Sequence, residues 1–270
     1  MVEDKVVFIT GAFGLIGFSI SKNFLNNRAK VVLADIQKDR VKAIAMELEK
    51  EGFNSTDFLV VDIDITDEQS IKNSLEKTID KFGKVDVLIN NAAIDAKFDK
   101  TGKSSINESS FENYPIHLLK KSIEVNTIGT VLTTQVFCRQ MLRQGFGNII
   151  NVASTYALVS PNQNLYDFGD ESGILFKPVD YIVSKSFIPN FTRYVATFYA
   201  KKNIRCNAVA PHGVFNNHDE KFLINFAKLS PIGRMCEVNE LNGVFKFLAS
   251  DESKYMTGST VIIDGGWTAW

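Results

Sequence analysis

"VVFITGAFGLIGFSI", Val6 to Ile20, opens as a continuous apolar run and then breaks at Gly11, Gly14 and Gly17. It reads either as a loop that holds a phosphate or as a strand that simply turns tightly into a helix. The decision comes from the rest of the chain. "KVVFIT" (5–10), "KVVLAD" (30–35), "DFLVVDI" (57–63), "VDVLINN" (85–91) and "GNIINVAS" (147–154) are short apolar runs, as expected of strands buried on both faces. "IRCNAVA" (204–210) and "TVIID" (260–264) add two more. Between them lie amphipathic stretches such as "KDRVKAIAMELEKEG" (38–52) and "DEQSIKNSLEKTIDKFG" (67–83), each ending in Gly, a common helix stop. Strands alternating with helices predict an α/β chain: one domain over 1–270, a doubly wound parallel sheet with helices on both faces.

That order favours the phosphate reading of the glycines. They sit where the first strand hands over to a helix beginning near Gly14, and Asp35 closes the second strand, 35 − 17 = 18 residues beyond Gly17. Glycine there lets backbone N–H groups approach a pyrophosphate at the positive end of the helix. A carboxylate at that distance suits a ribose diol and repels a 2′-phosphate. With no Arg or Lys next to Asp35, NAD is expected as cofactor rather than NADP.

Composition narrows the partners. Lys+Arg number 30 against 31 Asp+Glu, a net charge of -1, which gives no electrostatic reason to expect nucleic acid or an acidic membrane surface. Apolar runs are too short to span a membrane, and the N-terminus does not read as a signal peptide. Cys138, Cys206 and Cys236 are scattered; they form no metal-ligand pair and favour a reducing, cytoplasmic setting. A small molecule is the expected partner, with no metal.

From "TGAFGLIG" (10–17) through Asp35, "DIT" (64–66), "NNAA" (90–93), "VNTIG" (125–129), "INVAS" (150–154), "YIVSK" (181–185), "RCNAVAPHGV" (205–214) and "DGG" (264–266), the chain resembles the short-chain dehydrogenase/reductase family over essentially its whole length. The resemblance implies a Rossmann-type sheet of about seven strands, a nicotinamide cofactor, and a dimer or tetramer formed by helices flanking the sheet. It also implies a catalytic set of Asn126, Ser154, Tyr181 and Lys185. Tyr181 and Lys185 are four apart and share a helix face; an ammonium beside a phenol favours the phenolate and lowers its pKa. Tyr181 is thus the expected proton donor/acceptor and Lys185 its electrostatic partner and a ligand of the nicotinamide ribose. Ser154 would bond the substrate oxygen, and Asn126 resembles the residue that holds a water behind Lys185. For the cofactor, Gly11, Leu15, Ile16, Asp35, Asp64, Ile65 and Asn90 match the adenosine and phosphate positions. Val214 matches the residue that engages the carboxamide. Gly14, Gly17, Ala92, Pro211, Tyr181 and Lys185 complete the expected contacts. Asn90 and Asn91 fit equally well as braces of the sheet.

Three features depart from the family pattern. The glycine spacing is T-G-x-x-G-x-x-G, typical of nucleotide-sugar epimerases and dehydratases, with Leu15 where a glycine is usual. "PHG" puts His212 in place of a glycine, costly if that position needs positive φ, although a structural or solvent-facing histidine is the expectation. His117 and His218 fall in expected loops. Ser154 and Tyr181 are 181 − 154 = 27 residues apart, beyond the usual interval. The extra polar residues near 158–178, with Tyr166, Asp167, Asp170 and Glu171, form either a lid for a hydroxyl-rich ligand or a subunit interface. A second insertion lies near 95–118, and a substrate flap is expected near 214–232. The long insertion and the ending "DGGWTAW" resemble a bacterial subgroup often labelled flagellin modification protein A, whose setting is surface-sugar biosynthesis. The expected activity is NAD(H)-dependent interconversion of a secondary alcohol and a ketone on a sugar derivative. The alternatives are an epimerase or dehydratase, or a non-catalytic NAD-binding subunit.

Overall fold

The computed structural model describes residues 1–95, 108–167 and 175–270. Its strands are β1 (Val6–Thr10), β2 (Lys30–Asp35), β3 (Phe58–Asp62), β4 (Val87–Asn90), β5 (Gly147–Val152), β6 (Ile204–Pro211) and β7 (Thr260–Ile263). They form one sheet in the order β3-β2-β1-β4-β5-β6-β7, with every neighbouring pair parallel. The chain winds outward from β1 to β3 and then returns to place β4 on the other side of β1. The two halves therefore part between β1 and β4, and in such sheets ligands bind in the crevice beyond the carboxyl ends of those strands.

The connecting helices are α1 (Leu15–Asn26), α2 (Val41–Lys50), α3 (Glu68–Phe82), α4 (Ile116–Ser122), α5 (Thr130–Gln144), α6 (Val179–Ser186), α7 (Ile188–Tyr199), α8 (Glu220–Leu229) and α9 (Asn242–Ala249). Local chemistry sets their ends. At α3 the Asp67 side chain accepts from Gln69 N–H, and Gly83 closes the helix at φ 76, a backbone shape that costs glycine little. The expected helix over 38–52 is shorter than its pattern: Lys38–Arg40 forms a separate 3₁₀ turn, with Arg40 N–H donating to the Gln37 carbonyl at 2.9 Å. His117 lies in α4, not in a loop, and the expected flap contains α8.

Alternate residues of β1 serve opposite layers. Val7 and Ile9 pack with Phe24, Leu33, Leu48 and Phe245 on one face; Phe8 packs with Leu88, Phe137 and Met141 on the other. Phe8 and Phe137 meet edge to face at 4.7 Å. Both faces are dry, which is why the strand runs show no polar alternation. One polar chain threads this core: Asn90 Nδ2 donates to Asn151 Oδ1 at 2.9 Å, and Asn151 Nδ2 to Thr192 Oγ1 at 2.9 Å. Among the described residues, no helix is long and apolar enough to cross a membrane.

Candidate active site

β1 ends against the glycine turn. Gly11 has φ 64, and a Cβ there would stand 2.7 Å from the Ala92 Cα; one at Gly17 would stand 2.8 Å from the Ala12 Cα. Asn91 fastens the turn, its amide donating to the carbonyls of Thr10 and Gly11 at 3.0 Å each. Gly14 starts α1 with no side chain capping it, so the first N–H groups of the helix are left for a ligand.

A cleft of about 510 Å³ opens above this turn, and Gly11, Gly14, Leu15, Ile16, Gly17, Asp35, Asp64, Ile65, Ala92 and Val214 all line it. Asp35 is 6% exposed. Its carboxylate accepts from Phe13 N–H at 3.0 Å and from the backbone and side chain of Gln37 at 3.2 Å each, which aims it without a cation. A bare helix end, glycines that bar side chains from the turn, and a fixed carboxylate beyond β2 fit a dinucleotide. Sequence reasoning missed Gln37 and Lys121, which also line the cleft. It missed Arg40 too: the guanidinium lies over the Phe13 ring at 5.7 Å and bonds Gln37 Oε1 at 3.1 Å. A basic side chain therefore stands one residue away from Asp35 in space, though not in sequence.

Asn90 and Pro211 lie outside the cleft wall. The Asn90 amide is spent inside the fold, on Asn151 and on Thr134 Oγ1 at 3.0 Å. Of the two roles open to it from sequence, this placement is the brace. Pro211 ends β6, where its carbonyl accepts from the Thr155 hydroxyl at 3.4 Å.

The expected catalytic side chains converge just past β5. Ser154 follows the strand by two residues and accepts from Tyr156 N–H at 3.2 Å. Its side chain lies beside that of Tyr181, whose charged form it favours. Lys185 is buried one turn along α6. Asn126 sits in a π-helical segment, Ile123–Gly129. Its amide donates to the Ile94 carbonyl at 2.8 Å and Ser184 Oγ at 2.9 Å, and its side-chain oxygen accepts from Ile94 N–H at 2.8 Å. That side chain clasps the exit of β4 to α6 and bonds neither Lys185 nor Tyr181.

The electrostatics differ from the sequence expectation. Burial pushes the Tyr181 phenol up to about 12, with Asp95 adding to the rise and the Ser154 side chain opposing it. Burial brings Lys185 itself down to about 8, and its ammonium donates to the Val152 carbonyl at 2.8 Å. Desolvation thus outweighs the neighbouring cation that was expected to favour the phenolate.

His212 needs no positive φ; the left-handed residue beside it is Gly213, at φ 50. It is structural. Its ring packs on Trp267 at 4.3 Å, and on Phe226 and Tyr156 at 5.3 Å each, and burial lowers it to about 4. Phe226 belongs to α8, so this aromatic cluster ties the 214–232 segment to the end of β6 and to Trp267 near the end of the chain. Tyr166 meets the same helix through Phe222, at 5.7 Å, and lies near Tyr156. Asp167 holds Asn225 of α8 through its carbonyl at 3.0 Å. Asp170 and Glu171 lie outside the described residues.

Known proteins show the same arrangement of sequence and fold. A family profile described as Enoyl-(Acyl carrier protein) reductase matches residues 11–268. The chain is 30% identical over 267 residues to the post-translational flagellin modification protein A of Campylobacter coli, covering 99% of each. It is 31% identical to a 7alpha-hydroxysteroid dehydrogenase of Bacteroides fragilis, covering 98% of this chain and 95% of that one. A crystal structure of a short chain dehydrogenase from Leptospira borgpetersenii with bound NAD+ superposes with a TM-score of 0.82 at 30% identity, covering 98% and 93%.

Proposed function

The chain belongs to the short-chain dehydrogenase/reductase family, and from that premise we propose that it interconverts a secondary alcohol and a ketone of a sugar derivative with NAD(H). One observation carries the reading: the Tyr181 and Ser154 side chains lie together beside buried Lys185, near a cleft whose bare helix end and glycine turn suit a dinucleotide. A nicotinamide cofactor held above Gly11, Gly14 and Asp35 would supply or accept the hydride. Ser154 and Tyr181 hold the substrate oxygen, and Tyr181 exchanges the proton that must move with the hydride. Lys185, tied to the Val152 carbonyl, would hold the ribose of that nicotinamide. The sugar reading draws on the charged residues at the mouth, Asp95 and Lys177, and on the similarity to a flagellin modification protein. A homodimer or homotetramer is supported by exposed Val183, Tyr194 and Phe198 on adjacent helices, and sedimentation velocity tells it from a monomer.

A panel of sugar phosphates and nucleotide sugars with NAD, followed at the NADH absorbance, tests the activity; no turnover across the panel counts against the sugar reading. The pH profile is part of the result. Lys185 is charged below about 8 and neutral above it, so a step that needs its ammonium is expected to fail as pH rises through that value. An activity still climbing well beyond it speaks against this role.

Asp35 is proposed as the residue that favours NAD. Facing like charges cost a few kcal/mol, so Asp35→Ser is expected to move the NADP-over-NAD ratio of kcat/KM upward by about 10- to 100-fold, with Arg40 available to the added phosphate. Unchanged ratios would place cofactor choice elsewhere.

A further inference from the structure

The catalytic phenol has a second cation beside it, outside the family motif. Lys177 precedes α6, and its ammonium stands over the face of the Tyr181 ring, 4.2 Å from the centroid. The same ammonium pairs with Asp95, at the exit of β4, with Nζ and Oδ2 2.5 Å apart. This is not a loose surface lysine. Its side chain is 13% exposed. The Gln163 side chain grips its backbone from both sides, accepting from Lys177 N–H at 2.9 Å and donating to the Lys177 carbonyl at 3.5 Å.

We propose that Lys177 and Asp95 act as a charge pair that sets when Tyr181 releases its proton, with Lys177 the positioning cation over the phenol and Asp95 its counter-ion. The inference rests on Tyr181 being the proton carrier. A cation over an aromatic face is attracted to it, and the attraction grows when the ring becomes a phenolate. An adjacent carboxylate opposes that gain. Other groups face Tyr181 as well: Ser154 and Tyr156 beyond β5, Tyr166 from the insertion, and Lys185 on its own helix. None of these explains why a lysine and a carboxylate are locked together over the ring. Asp180, the residue before Tyr181, is engaged elsewhere, its carboxylate accepting from the Ser122 hydroxyl. Lys185 is turned to Val152. Of the two cations near the phenol, Lys177 is the one over its ring.

The titration of Tyr181 tests this without any substrate. Near-ultraviolet tyrosinate absorbance is recorded against pH for each protein with and without the further change Tyr181→Phe, and the difference isolates this phenol. Asp95→Asn is expected to lower the midpoint by about one pH unit or more, the size an opposing charge produces. Adding Lys177→Met to Asp95→Asn is expected to reverse that fall, whereas adding Lys177→Arg preserves it. Equal midpoints in Asp95→Asn and the Lys177→Met double variant overturn the pair's role, as does an unmoved midpoint in Asp95→Asn. If Tyr181→Phe leaves turnover intact, the proton-carrier reading has failed instead; the two failures are therefore separable.

Discussion

Tyr181→Phe is expected to lower kcat by about 10²- to 10⁴-fold, the usual contribution of a positioned proton donor, while the protein still binds NADH. Phenylalanine fills the same space on α6, so packing is kept. The hydroxyl lost is the one beside Ser154, proposed to exchange a proton with the substrate oxygen. Because that interaction strengthens as charge develops on the oxygen, kcat and kcat/KM should fall together. Steady-state kinetics beside a fluorescence titration with NADH checks both halves. A variant that keeps full turnover removes Tyr181 from the chemistry, and one that loses NADH binding makes it a structural residue.

Gly11→Val should act on the other half of the site, raising the Kd for NADH by about 100-fold or more, because two costs of order 1–3 kcal/mol each fall on the turn. Gly11 has φ 64, a region that β-branched residues avoid. Any Cβ would also press on the Ala92 backbone at 2.7 Å, and backbone cannot swing aside as a side chain can. Thermal melting should fall by about 5–10 °C, in line with a loss of that size. Gly52→Val is the control. Gly52 has φ 93 with nothing near its absent Cβ, so it should lose stability without losing NADH. Equal cofactor affinity in the two variants would mean that the turn at Gly11 is not the cradle.

The inner strands were legible because they are buried on both faces, whereas β3 and β7 at the sheet edges are only partly buried. "KVVLAD" coincides with β2, and β5 takes the first part of the expected "GNIINVAS", ending at Val152, since an unbroken apolar run of that length has one place to go in a parallel sheet. Local signals also marked the glycine turn and the Gly83 stop, where one residue's backbone freedom decides the geometry. What escaped was set by contacts between distant segments. Nothing around Lys177 shows that it would lie over Tyr181 and meet Asp95, 82 residues away. Nor does "VNTIG" show a π segment, which appears where Asn126 reaches across to Ile94. His212 read as an oddity in a glycine's place until Trp267 and Phe226 arrived from the end of the chain and from α8. The expected lowering of Tyr181 by Lys185 failed for a similar reason: spacing on a helix brought the two near each other, but burial and the Val152 carbonyl, which come from the tertiary fold, govern their charges.

Following the hydrogen on the carbinol carbon asks directly whether a dinucleotide exchanges hydride while Tyr181 carries the proton. A secondary alcohol turned over in the panel is deuterated at that carbon, oxidised with NAD, and the reduced cofactor is weighed by mass spectrometry. One deuterium in each NADH formed, at a rate that collapses in Tyr181→Phe, is the result expected. Deuterium released to water, or an alcohol that inverts its configuration while no NADH accumulates, contradicts it.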